Sequence, residues 1–186
     1  MTAVLNTKST AVRVKPRSLV VLAGIPGAGK TTLLTRLDAD EPVTVLDSDQ
    51  VRMWLEPRVP LPYKYWRVVV HLTHRLRVFW AAMFCAGLLV VHEPSTRPGT
   101  RFMLVLAGLL SGRARHFLWL DASAAQALDG QIARRRVVRT HAFERHVRRG
   151  SSMRSQFEAG WVPFGFGGVT LLTRAGTSGG LRIMVS

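Results

Sequence analysis

The amino-acid sequence predicts an α/β domain in which helices cover both faces of a mainly parallel five-stranded sheet. Three observations carry that prediction. Five short apolar runs recur along the chain: "LVVLAG" (19–24), "VTVL" (43–46), "LLVVH" (88–92), "HFLWL" (116–120) and "VTLLT" (169–173). They are rich in β-branched residues and do not alternate with polar ones, as strands buried on both faces require. Longer stretches of helical character separate them, which gives the βαβα rhythm of a doubly wound sheet.

Taken in order, residues 1–17 are polar, with scattered Lys and Arg and no apolar period, and read as a flexible extension. Residues 18–186 read as one domain, because 186 residues with 47% apolar content suffice for one sizeable core. Helices are expected over 30–37, 66–86, 100–110 and 122–136, with another around 141–149. The breaker-rich "EPRVPLP" (56–62) precedes the long second helix, and "AGTSGG" turns the chain into a last strand, "LRIMV". The 14 uncharged residues from Val78 to Val91 fall short of the roughly 18–20 that span a bilayer, and Gly87 divides them into a helix end and a buried strand. No membrane partner is expected. The apolar core of "KPRSLVVLAG" is too short for a signal peptide. Cys85 is the only cysteine, so no intramolecular disulfide can form; it reads as a packing residue, and a reducing, cytoplasmic location is expected.

Charge says what the surface attracts. Lys+Arg exceed Asp+Glu by 26 to 11, a net charge of +15, which favours phosphates, nucleic acid or other polyanions. Arginine supplies most of the excess, which fits bidentate anion binding and equally a GC-rich genome.

The sharpest motif is "LVVLAGIPGAGKTTLL", in which Gly24 is followed after four residues by Gly29, Lys30 and Thr31. This is the P-loop pattern, set between a predicted strand and a predicted helix as it must be. Gly24, Gly27 and Gly29 let the backbone wrap closely, so that amides from Gly24 through Ala28 and Gly29 to Thr32 can face a phosphate chain. Lys30 is placed to reach the β- and γ-phosphates and the Thr31 hydroxyl to ligate Mg²⁺, so the expected cofactors are ATP and Mg²⁺.

The second run ends in "VLDSDQVR", which sets Asp47, Asp49 and Arg52 at the carboxyl end of a strand, where open α/β sheets bind ligands. Asp47 is a candidate metal ligand. Asp49 and Arg52, three apart, can face one cleft and serve an acceptor hydroxyl and an acceptor anion, or be an N-cap with an incidental arginine. The third run ends in "VVHEPSTRPGTR": Glu93 takes the place usual for a Walker B aspartate, and His92 reads as a structural strand-end residue. On the long helix, Lys64, Arg67, His71, His74 and Arg75 form a stripe, read as a solvated face or as an acceptor site for an anionic substrate. After the fourth run comes "ARRRVVRTHAFERHVRR". On a continuous helix Arg135, Arg136 and Arg139 would converge on one phosphate, though "VVR" interrupts the pattern and leaves the choice among 134, 135, 136 and 139 open.

These residues resemble the P-loop kinases that include adenylylsulfate kinase, gluconate kinase and the polynucleotide 5'-hydroxyl kinases, together with AAA-type ATP-binding proteins of high-GC bacteria. The resemblance covers most of 18–175. It implies a three-layer sandwich of sheet order 2-3-1-4-5 with an Arg-rich lid. It also implies that Asp49 is the general base, that Arg52, Glu93 and Arg101 form the substrate side, with Glu93 bonded to Arg52, and that Arg135, Arg136 and Arg139 serve the transferred phosphoryl. A GTPase is disfavoured because no N-K-x-D signature is present, and "LLSGRAR" lacks the glutamine of the ABC signature. The expected activity is transfer of the γ-phosphoryl of ATP to a hydroxyl on an anionic substrate. The alternative is a nucleotide-dependent switch or nucleic-acid-associated ATPase.

Overall fold

The structure is a computed structural model that describes residues 10–94, 97–134 and 137–186. Its first half contains β1 (Thr10–Val14), β2 (Leu19–Ala23), α1 (Lys30–Leu34), β3 (Leu37–Ala39), β4 (Val43–Asp47), α2 (Ser48–Leu55), a 3-10 turn (Glu56–Arg58) and α3 (Tyr63–Phe84). The second half contains β5 (Leu88–His92), α4 (Pro98–Leu110), β6 (Arg115–Asp121), α5 (Ala124–Ala133), α6 (Thr140–Glu158), β7 (Gly168–Thr173) and β8 (Leu181–Val185).

The five apolar runs form one parallel sheet in the order β4-β5-β2-β6-β7. Counted by run, that is second, third, first, fourth, fifth. Every residue of the central strand β2 is buried, which is why its sequence is apolar without alternation. Its neighbours β5 and β6 leave on opposite sides, so a crevice opens at its carboxyl end. α6 packs on β6 through Phe157, whose ring lies 5.8 Å from Phe117 and 5.9 Å from Trp119. Gly150 allows this approach, because a Cβ there would come within 2.7 Å of Ile25.

Three expectations are corrected. Residues 10–14, read as part of a flexible extension, form β1, which joins β8 and β3 in a second parallel sheet of order β1-β8-β3. Val12, Val14, Leu181 and Ile183 bury that sheet's inner face. The helix expected to Leu37 stops at Leu34, and Leu37 already belongs to β3. The helix expected to Arg136 ends at Ala133.

α3 buries Trp66, Val70, His74 and Val78 along one face. Of the expected stripe Lys64, Arg67, His71 and Arg75 are exposed and His74 is buried; beside it a further exposed face, unread in the sequence, is apolar at Tyr65, Val69, Leu72, Leu76, Trp80 and Met83, at spacings of three and four. No helix among the described residues is long and apolar enough to cross a membrane. Cys85 is partly buried against the core. Beside it, Arg113 is fully buried and bound to backbone carbonyls alone: Nε donates to Ala82, Nη1 to Arg17 and Gly87, and Nη2 to Cys85.

Candidate functional site

The loop between β2 and α1 wraps the buried Lys30, whose Nζ donates to the carbonyls of Gly24 at 2.7 Å and Ile25 at 3.1 Å. Burial pushes the Lys30 ammonium down to about 8; Arg134 adds to the effect, and Asp47 and Glu93 oppose it. The three loop glycines have different causes. A Cβ on Gly24 would lie 2.6 Å from the Leu120 carbonyl oxygen, and one on Gly27 would strike the Ala127 carbonyl. Both glycines serve the fit of the loop against β6 and α5. A Cβ on Gly29 would meet nothing closer than Arg174 and Leu120 at 3.9 Å, so there it is the φ of 105° that calls for glycine. Gly27 at φ 92° is also in the left-handed region, so Gly27→Ala is strained twice. That substitution is expected to unseat α5 and lower nucleotide affinity by about tenfold or more, read by nucleotide titration.

One cleft of about 700 Å³ gathers Lys30 and Thr31 from the start of α1, Asp47, Asp49 and Arg52 from the end of β4 and α2, and Arg134 and Arg139 from beyond α5. Asp47 caps α2: its Oδ1 accepts the Asp49 amide at 2.9 Å, and its Oδ2 lies 2.5 Å from His92 Nδ1. Burial raises the Asp47 carboxyl, but the His92 hydrogen bond and charge and the Asp49 amide outweigh it and hold the group below the usual carboxylate range. The Asp47–His92 contact went unread in the sequence, although both residues end adjacent strands and are paired in register.

Arg52 does not meet Glu93 as the resemblance implied. It reaches Glu56 Oε1 at 3.4 Å and lies over the Tyr63 ring at 4.5 Å. Glu93 turns instead toward His74, 3.5 Å away, beside the cleft. Burial pushes the Glu93 carboxyl up to about 7 against the pull of Arg75 and Lys30, and burial pushes the His74 imidazole down to about 4. Burial thus disfavours the charged form of both partners. Arg101 lies under α6, with Nη1 3.6 Å from Met153 Sδ, and does not line the cleft.

The arginine segment does not run as one helix. Arg135 and Arg136 lie outside the described residues. α5 ends at Ala133, residues 137–139 are non-helical and Arg139 is the N-cap of α6, so the convergence expected on one helix is not formed that way. Buried Gln131 organises this segment by donating to Pro26 at 3.0 Å and accepting the Val138 amide at 2.8 Å. Arg134 Nη1 donates to the Thr31 hydroxyl at 3.1 Å.

These donors suit a phosphate chain with a hard cation. Among the described residues no group of three or more His, Cys, Asp and Glu could hold a metal ion, but a magnesium ion shared with phosphates needs only one or two protein oxygens. The Thr31 hydroxyl and the Asp47 carboxylate are of that kind. Ala28, Gly29 and Thr32 line a smaller cavity of about 150 Å³ with Arg36 and Arg174.

Comparison with known proteins agrees with this geometry. No curated protein sequence matches the chain. A chain of the PezAT chromosomal toxin–antitoxin system of Streptococcus pneumoniae is similar in structure, with TM-score 0.61 and 13% identity over 91% of this chain and 71% of that one. A candidate kinase of Chloroflexus aurantiacus has TM-score 0.58 and 15% identity over 84% and 87% of the two chains. At such identities the likeness concerns the fold. The model of the AAA domain family AAA_33 matches residues 19–159, which include the phosphate loop, both cleft carboxylates and the arginine segment. The chain belongs to that family and is a P-loop kinase-like protein.

Proposed function

We propose that this protein binds Mg-ATP and transfers its γ-phosphoryl group to a hydroxyl of a small acceptor. The observation that supports this best is the single cleft that holds phosphate-binding, carboxylate and guanidinium groups together. Lys30 and the loop amides of Gly27 and Gly29 hold the phosphates; the amides expected from Gly24 and Ala28 instead donate to the carbonyls of Pro94 at 3.4 Å and Ile25 at 3.1 Å and shape the loop. α1 is only five residues long, so individual amides, rather than a long helix dipole, carry that contact. The nucleoside extends past Thr32 into the smaller cavity between Arg36 and Arg174. Thr31 and Asp47 would hold Mg²⁺, which when bound neutralises charge between the β- and γ-phosphates.

Asp49 orients the acceptor hydroxyl and takes its proton. The new bond joins the acceptor oxygen to the γ-phosphorus. The bond from that phosphorus to the bridging oxygen breaks, and ADP leaves with the electron pair. Arg139, with Arg135 and Arg136, stabilises charge on the transferred group, and Arg134 leaves the Thr31 hydroxyl to join them. Arg52 and Arg101 remain candidates for the substrate side, Arg52 directly and Arg101 as a support beneath α6.

Asp49→Asn is expected to lower transfer by about a hundredfold or more while ATP affinity stays unchanged. The assay is γ-labelled ATP with a panel of sugars, nucleosides, antibiotics and nucleic-acid 5'-ends. Transfer at the parent rate in Asp49→Asn would remove Asp49 as the base.

A second reading, a nucleic-acid-associated ATPase or nucleotide switch, draws on the exposed Arg145, Arg148 and Arg149 of α6 and the net charge of +15. It requires free phosphate as the product and turnover stimulated by RNA or DNA.

A further inference from the structure

A second pocket of about 510 Å³ adjoins the nucleotide cleft, and Arg67 and Pro94 line both. Arg67, His71 and Arg75 reach it from α3, Arg97 and Thr100 from the start of α4, and His146 from α6. Its one acid is Glu93, mostly buried against His74. Among the described residues Arg67, Arg75 and Arg97 form no ion pair within 4.0 Å, so three guanidinium groups line one cavity against a single, mostly buried acid. Their effect on their neighbours is consistent with this. His71 is pushed down by burial and then by Arg67, Arg75 and Arg97, and His146 by burial and then by Arg97, Arg149, Lys30 and Arg145.

Unbalanced guanidinium groups around a concave site call for an oxyanion, because their planar forks match phosphate and sulfate oxygens in pairs. The volume lies within the range of small-molecule sites. A polynucleotide would need cations continuing along α3, but the exposed surface there is apolar at Val69, Leu76, Trp80 and Met83. We propose that the acceptor is a small molecule bearing a phosphate- or sulfate-type group, which Arg67, Arg75 and Arg97 hold in this pocket while its hydroxyl passes Pro94 into the nucleotide cleft. The acceptor role rests on the phosphoryl-transfer reading above; the oxyanion site does not.

Two measurements separate the two ideas. In the first, sulfate is titrated calorimetrically into protein saturated with a non-hydrolysable ATP analogue, so that the phosphate loop is already filled. One sulfate should bind, and the double substitution Arg75→Ala with Arg97→Ala should weaken it about tenfold or more while analogue affinity stays the same. No sulfate binding, or equal binding in the double variant, overturns the site. In the second, γ-labelled ATP is offered with alcohols in pairs, each with and without a phosphate group. The phosphorylated member should show a KM lower by about tenfold or more, and the double variant should erase the difference. A preference for the neutral members, or for a 5'-hydroxyl oligonucleotide, overturns the acceptor assignment. Sulfate binding that depends on Arg75 and Arg97, with no labelled product from any acceptor, upholds the oxyanion site and overturns phosphoryl transfer.

Discussion

Replacing Lys30 with methionine should abolish ATP turnover, by about a thousandfold or more, and lower ATP affinity by about a hundredfold. The ammonium is 5% exposed and already spends two donors on Gly24 and Ile25, so it is held in place with a third donor for a phosphate oxygen. Its pKa of about 8 adds a pH signature. Below that pH the ammonium is charged before ATP arrives, so Lys30 takes up no proton on binding. Above it the free protein carries a neutral amine, so binding must take up a proton and affinity should fall by about tenfold per pH unit. Lys30→Arg should remove the alkaline fall, because a guanidinium stays charged. Fluorescence titration of ATP across this range, with thermal melts as a folding control, makes the check. Parental affinity in a folded Lys30→Met protein would refute the assignment.

The largest effect on stability is expected at Arg113. Its guanidinium ties the last carbonyls of α3, at Ala82 and Cys85, to Gly87 before β5 and Arg17 before β2. A helix end leaves carbonyls without intrahelical partners, and here one side chain satisfies two of them together with two loop carbonyls. Arg113→Met should cost about 3–5 kcal/mol, since it leaves four carbonyls around a buried site with no donor. At about 2–4 °C per kcal/mol for a chain of this size, the melting temperature should drop by about 10 °C or more. Arg113→Lys, with three donors on one nitrogen, should recover part of that loss. Urea denaturation measures both, and a change in Arg113→Met below about 1 kcal/mol would count against this role.

The main sheet and the phosphate loop were legible because their signals are local. An apolar run identifies a strand buried on both faces, and Gly24 to Thr31 specify a turn wherever the chain carries them. The second sheet was not legible: β3 has three residues, and β1 pairs with a strand some 170 residues away, which no local period can announce. The arginine segment misled for a similar reason. Residue types that favour a helix continue past Ala133 in the sequence, but α5 ends there and Gln131 captures the Val138 amide. For Arg52, a neighbour four residues on and the ring of Tyr63 took the side chain that family resemblance had assigned to Glu93. The glycines looked uniform in sequence, yet Gly24 and Gly27 accommodate protein backbone, whereas a Cβ on Gly29 would meet only the side chains of Arg174 and Leu120 at van der Waals distance.

The placement of β8 bears on how the protein is made. It is the middle strand of the second sheet, and β1 and β3 touch it rather than each other. During synthesis β1 and β3 emerge early, while the strand that joins them is the last element of the described chain. Their edges therefore stay open until residues 181–185 leave the ribosome, and one late pairing step closes both at once.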